Sequence, residues 1–217
     1  MFEYGGIDLR WTAHAGFQIT TGDKIIYIDP FKLSKQYINK HNADLILISH
    51  NHFDHLSLDD LIKIVNQNTV IFAAKECVDQ LKALAVKEIT GVSPGEKMNF
   101  QNIAIEAIAA YNTNKEFHPK KDGKVGFIIT TNGIRIYHTG DTDVIPEMEN
   151  ITPEIALAPV SGTYVMTAEE AASAVNNVIK PKIAIPMHYN SIVGTREDAV
   201  RFSEMVTVCP TKILDQE

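Results

Sequence analysis

The stretch Ser49-His50-Asn51-His52-Phe53-Asp54-His55 places three imidazoles and a carboxylate within six positions. Nitrogen and oxygen donors of this kind are the ligands that Zn²⁺ and similar divalent ions take. The run before it, Asp44-Leu45-Ile46-Leu47-Ile48-Ser49, is apolar and of strand length, which suits a strand covered on both faces. Ligands at the carboxyl end of such a strand project from a rigid element. His50 and His52 are two apart and point the same way in an extended segment. Asp54 and His55 follow after a turn, where neighbours diverge, so one pair can serve one ion and the next pair another. A solvated His-rich loop needs no Asp in register. A purely structural metal site usually closes with Cys or with four tightly spaced ligands.

Outward from this cluster the chain alternates strands and helices. Upstream, IDLRWTAH, AGFQIT and KIIYID read as strands, with a hairpin turn at Thr21–Asp23. Residues 31–43 are polar and irregular. Downstream, Ser57 caps a helix to about Gln67, Thr69–Ala73 is a strand, and Lys75–Ala85 is a helix. Ile103–Ala109 is a strand followed by a polar loop over 112–124. Val125–Thr131 and Ile134–Tyr137 form a hairpin through Asn132-Gly133. Glu154–Ala158 is a strand. Thr167-Ala168-Glu169-Glu170 is a capping box that opens a helix to about Ile179, stopped by Pro181. Lys182–Pro186 is a strand and Thr195–Met205 a final helix. The order predicts α/β layers packed around more than one sheet, in a single domain over 1–217.

Composition removes several classes. Of 217 residues, 20 are Lys or Arg and 27 Asp or Glu, a net charge of −7. An acidic chain makes a poor general binder of nucleic acid or anionic membranes, since phosphate binding needs a positive field. No apolar run approaches a membrane span. The start carries Glu3 and Asp8 and no cationic region ahead of an apolar stretch, unlike a secretory signal. The two cysteines, Cys77 and Cys209, form no CxxC, which excludes a disulfide framework and a zinc ribbon and points to a cytoplasmic protein.

His50-x-His52-x-Asp54-His55 resembles the HxHxDH signature of the metallo-β-lactamase superfamily. Trp11-Thr12-Ala13-His14, Tyr27-Ile28-Asp29-Pro30-Phe31, Tyr137-His138-Thr139-Gly140-Asp141-Thr142 and Ile185-Pro186-Met187-His188-Tyr189 look like its ascorbate-6-phosphate lactonase-like branch of metal-dependent hydrolases. The resemblance covers nearly the whole chain. It implies a four-layer αββα sandwich holding two divalent metal ions, zinc first, with manganese, iron or nickel as other candidates. His50 and His52 would hold metal one, Asp54 and His55 metal two; Asp141 would bridge both and His188 would complete metal two. The family pattern asks for a third histidine on metal one after Ile103–Ala109, where Ala110-Tyr111-Asn112 stands. His118, six residues past Asn112, is the substitute, and a metal-one site with fewer protein ligands is the alternative.

The expected activity is hydrolysis of a small anionic ester, lactone or phosphodiester by a metal-bound hydroxide, with Asp54 orienting the water and His14 a candidate general acid. His14 equally suits a hydrogen-bonded structural histidine. Asp29 suits either an acceptor behind a ligating imidazole or a turn cap before Pro30. His138 and His41 read as structural. The lysine-rich loop Lys115–Lys124 is either a solvated face or a cradle for a substrate anion. Tyr164 either lines the cleft or packs as an ordinary aromatic. The expected partner is a small-molecule substrate, without nucleic acid or membrane, and with homo-oligomerisation open. Two other classes stand beside this one. A di-iron redox protein would usually carry Glu where His52 stands and need a flavin domain. A catalytically silent metal-binding or interaction protein would be expected to lose ligands, and the ligand set here is intact.

Overall fold

The computed structural model describes residues 1–217. The chain divides into two compact units, Met1–Val92 with Leu214–Glu217, and Ser93–Ile213.

The first unit is built on a seven-stranded sheet. Its strands are β1 (Phe2–Tyr4), β2 (Ile7–Ala13), β3 (Gly16–Thr21), β4 (Lys24–Ile28), β5 (Leu45–Ile48), β6 (Val70–Ala74) and β7 (Glu88–Val92), hydrogen-bonded in chain order. β1 to β4 are an antiparallel meander, and β4 to β7 run parallel. β5 and β6 are buried at every residue, as their unbroken apolar sequence requires of a strand covered on both faces. Helix α1 (Leu58–Ile64) starts where Ser57 Oγ accepts from the Asp60 amide, with Asp59 and Asp60 at the positive end of its dipole. It stops at Ile64, short of Gln67, because Val65 turns extended. The helix expected over Lys75–Ala85 is a 3₁₀ turn at Lys75–Cys77 and one α turn, α2 (Val78–Leu81).

The second unit carries a six-stranded sheet in the order β13-β12-β11-β10-β9-β8. These are β8 (Lys97–Phe100), β9 (Ile103–Ala109), β10 (Val125–Thr131), β11 (Ile134–His138), β12 (Ile155–Pro159) and β13 (Ile183–Met187). β8 to β11 are antiparallel and β11 to β13 parallel. Helix α3 (Ala168–Ala174) begins in the predicted capping box of Thr167 and Glu170. It widens into a π turn over Val175–Ile179 and ends where Lys180 takes a left-handed φ of 48° before Pro181. Helix α4 (Arg196–Met205) follows.

The two units share one local plan. Gly16-Phe17, Ile19-Thr20-Thr21 and Ile26-Tyr27 recur 110 residues later as Gly126-Phe127, Ile129-Thr130-Thr131 and Ile136-Tyr137. The register repeats with them: Phe17 pairs Ile28 as Phe127 pairs His138, and Ile26 pairs Leu45 as Ile136 pairs Ile155. Asp44 accepts from the Ile25 amide as Glu154 accepts from the Arg135 amide. The glycines recur for a steric reason. A Cβ on Gly16 would sit 2.9 Å from the Asp29 carbonyl oxygen, and one on Gly126 would sit 2.5 Å from the Thr139 carbonyl oxygen. Only glycine lets the start of the hairpin lie against the chain leaving its far strand.

Candidate metal centre

In the first unit the cluster is assembled by three chain segments that leave the sheet side by side. Asp29 follows β4 with a left-handed φ of 42°, and its amide donates to the Leu47 carbonyl beside it on β5. Ser49 and His50 follow β5. His14 sits in the β2–β3 turn at φ 53°, where the Trp11 indole donates to its carbonyl at 2.8 Å. Non-glycine residues in this region of backbone space carry strain, which the surrounding bonds must hold.

Asp29 is fully buried and accepts three hydrogen bonds. Ser49 N donates to Oδ1 at 2.7 Å; Ser49 Oγ and His55 Nδ1 donate to Oδ2 at 2.5 and 2.8 Å. Since the Ser49 hydroxyl gives its proton to Asp29, it accepts from His50 Nδ1, at 2.9 Å. One carboxylate thus places the proton of both His50 and His55 on Nδ1. Nε2 keeps the lone pair that a metal needs, the arrangement found behind ligating imidazoles. His50 and His55 are buried, and each turns its ring to the other with centroids 4.0 Å apart. A ring nitrogen of His50 lies within 4.8 Å of one on His52. His55 Nε2 is 3.8 Å from Asp54 Oδ2, and the same oxygen meets His14 Nε2 at 3.0 Å. The turn that returns His55 to this face is closed by His55 N and Leu56 N on the His52 carbonyl.

In the second unit His118, Asp141 and His188 come together, all nearly without solvent exposure. Asp141 follows β11, and His188 follows β13 at φ 60°. His188 Nε2 and His118 Nε2 lie 3.1 and 3.4 Å from the same oxygen, Asp141 Oδ2. His118 is clamped by Asn112. The Asn112 side-chain carbonyl accepts from His118 N at 3.0 Å and from Nδ1 at 3.1 Å, and Nδ1 also faces the Tyr164 carbonyl at 3.2 Å. Those partners only accept, so the His118 proton is on Nδ1 and Nε2 is the ligand nitrogen. Ser161 Oγ holds His188 Nδ1 at 2.9 Å.

The donor set fits divalent ions. Bonds of about 2.0–2.2 Å to N and O put neighbouring tetrahedral ligands about 3.3 Å apart, close to the His118 and His188 spacings from Asp141. His118 Nε2 and the Asp141 carboxylate are acceptor against acceptor, a contact that a shared cation makes favourable.

All eight expected site residues fall in these two clusters: His14, His50, His52, Asp54 and His55 in the first unit, His118, Asp141 and His188 in the second. Three orienting residues were missed. Ser49 and Ser161 have no motif that marks them. Asn112 stands where a histidine was expected and instead holds the histidine that replaces it. Asp29 is a buried acceptor, beyond the turn cap that Pro30 suggested. The lysine-rich loop is not a free cationic cradle. Lys115 pairs with Asp143 at 2.6 Å, Lys120 with Glu147 at 2.7 Å, and Lys124 reaches Asp122 at 3.9 Å. His138 is buried and its Nδ1 accepts from the Gly140 amide, a structural role. Tyr164 packs edge-on against Phe117, centroids 4.6 Å apart.

The family described as the beta-lactamase superfamily domain matches residues 8–188. A metal-dependent hydrolase of the UPF0173 family from Thermoplasma acidophilum is 34% identical, over 97% of this chain and 96% of its own. Another, from Pelotomaculum thermopropionicum, is 34% identical over 95% of this chain and 96% of its own. The structure of Igni18, a metallo hydrolase from Ignicoccus hospitalis, superposes with a TM-score of 0.77 at 24% identity, covering 96% of this chain and 95% of that one. The α/β fold is that of the metallo-β-lactamases, and no helix is long and apolar enough to cross a membrane. The chain belongs to the beta-lactamase superfamily, among its UPF0173 metal-dependent hydrolases.

Proposed function

We propose that the protein is a dinuclear hydrolase of small esters, lactones or phosphodiesters. In this reading His50, His52 and His118 hold one ion, Asp54, His55 and His188 the other, and Asp141 bridges. Zinc suits the mixed imidazole and carboxylate set, and manganese, iron or nickel are alternatives that availability decides. The observation that carries the reading is the orientation of the imidazoles: acceptors on Nδ1 of His50, His55 and His118 leave Nε2 as the ligand in each. A site without metal has no need of three buried histidines fixed in one tautomer.

Bound divalent ions would acidify a water and polarise the scissile oxygen. Asp54 would orient that water and accept its proton at a carboxylate oxygen. His14, buried beside it, holds Asp54 Oδ2 through Nε2 at 3.0 Å and sets the carboxylate's direction. The same His14 is the candidate donor to the leaving group. Preference for an anionic substrate rests on the charge of the ions, since Lys115, Lys120 and Lys124, three of the four lysines of the 115–124 loop, face carboxylates. A panel of chromogenic phosphodiesters, lactones and carboxyl esters, run with and without chelator, tests the proposal. Turnover of one class, abolished by chelator and restored by metal, is the expected result. Turnover that chelator leaves untouched would overturn it.

A further inference from the structure

A second polar site lies in the first unit and shares no residue with the histidine cluster. It is a pocket of about 270 Å³ lined by Arg10, Gln18, Gln36, Tyr37, Lys40 and Asn42, among others. Its wall is a row across the sheet: Arg10 is registered against Gln18, and Gln18 against Tyr27. Gln18 Nε2 donates to the Tyr27 hydroxyl at 2.6 Å, which donates to Asn42 Oδ1 at 3.1 Å. These bonds use the donor end of Gln18 and the acceptor end of Asn42. The Gln18 carbonyl and the Asn42 amide group remain for a ligand. Tyr37 is buried, and its hydroxyl has no hydrogen-bond partner. Such a group costs stability unless something fills its bonding capacity. Arg10 is already paired with Glu217 at 2.5 Å and bounds the pocket, so the cation offered to a ligand is Lys40.

The repeated hairpin supplies an internal control. In the second unit Ile128 stands where Gln18 does, and Glu106 is registered against it where Arg10 is registered against Gln18. Tyr137, the counterpart of Tyr27, has no hydrogen-bond partner. The hairpin therefore folds without a polar row, and the polar row of the first unit is not a requirement of its architecture. Another cavity, about 350 Å³ in the second unit, contrasts in a different way: its Tyr111, Lys120 and Glu147 satisfy one another.

The geometry points to a binding site for a small phosphate-bearing molecule, its oxyanion taken by Lys40, the Tyr37 hydroxyl and the Asn42 amide group. Three donors, one of them cationic, match the several acceptor oxygens of a phosphoryl group. The Gln18 carbonyl then receives a hydroxyl of the same ligand.

Calorimetric titration of the full chain with inorganic phosphate tests this. Tyr37→Phe removes only the unpartnered hydroxyl and leaves the ring packed, so the variant folds. The wild type should bind, and Tyr37→Phe and Lys40→Gln should each weaken phosphate about tenfold, the worth of one charge-assisted hydrogen bond. Lys40→Arg should restore most of the loss, and His52→Ala should leave the affinity unchanged. No binding by the wild type, wild-type affinity in both Tyr37→Phe and Lys40→Gln, or loss in His52→Ala alone would overturn the assignment. The last outcome would move phosphate to the histidine centre and leave the hydrolase reading intact.

Discussion

Asp29→Asn is nearly isosteric and changes one thing, the acceptor that fixes two histidine tautomers. In the wild type one carboxylate receives Ser49 N, Ser49 Oγ and His55 Nδ1. An amide has one acceptor atom. If its NH₂ takes the Oδ1 place, it meets the Ser49 amide donor to donor. If it takes the Oδ2 place, it meets His55 Nδ1, and the Ser49 hydroxyl must reverse and donate to His50 Nδ1. Either placement leaves a buried clash or moves a proton onto a ligand nitrogen. A lost charge-assisted bond is worth about 1.5–3 kcal/mol. At about 2–4 °C per kcal/mol for a chain of this size, Tm should fall by roughly 3–12 °C. Metal affinity should fall about 10–100-fold, as it does when the partner behind a ligating imidazole is removed. Thermal unfolding of the metal-free protein separates the first effect, and competition for zinc with a fluorescent chelator measures the second. A folded Asp29→Asn with wild-type zinc affinity would refute the tautomer argument.

Other outcomes follow from the same structure. Asp54→Ala should keep the fold and cut turnover by about 10²–10⁴ in the chelator-sensitive assay, the range for a lost acid–base group; near wild-type rates would remove Asp54 from the mechanism. Asn112→Ala takes the acceptor from both His118 N and Nδ1, and should cost about 1–3 kcal/mol in denaturant unfolding along with metal affinity. Gly16→Ala and Gly126→Ala drive a Cβ against backbone oxygen and should each destabilise by about 1–3 kcal/mol in the same assay, with an unchanged midpoint contradicting the close approach. The Lys120 hydrogen bond and charge hold Glu147 below the ordinary carboxylate range, with the Tyr111 hydroxyl assisting. A depressed folded-state pKa stabilises above the unfolded value, 4.5, and that stability is lost as pH falls through the folded value. Glu147→Gln should therefore unfold earlier than wild type at pH 7, and the difference should close in acid below 4.5.

Legibility differed between ligands and their supports. The apolar runs before His50 and His188 are strands buried at every residue, as a parallel strand covered on both faces requires, and the hairpin strand Ile134–His138 before Asp141 is buried over its last three residues. The chemistry then begins where the run ends, so motif and strand mark the same place. Edge strands carry no such signal. β1, β7 and β8 were missed because Glu88–Val92 is mostly part-exposed and Lys97–Phe100 alternates exposed with half-buried residues in four positions. The Lys75–Ala85 periodicity overstated a helix that breaks after Leu81. His118 could be named as a substitute ligand, but its clamp by Asn112 depends on a loop closing on itself, which no spacing encodes. Ser49 and Asp29 are twenty residues apart and meet because β4 and β5 pair in parallel.

Metal content tests the central claim most directly. Protein purified without chelator, wild type beside Asp141→Ala, is measured by mass spectrometry. The account predicts about two equivalents of divalent metal in the wild type, falling in the variant. No bound metal in the wild type, even after reconstitution with zinc, manganese, iron and nickel, would contradict it.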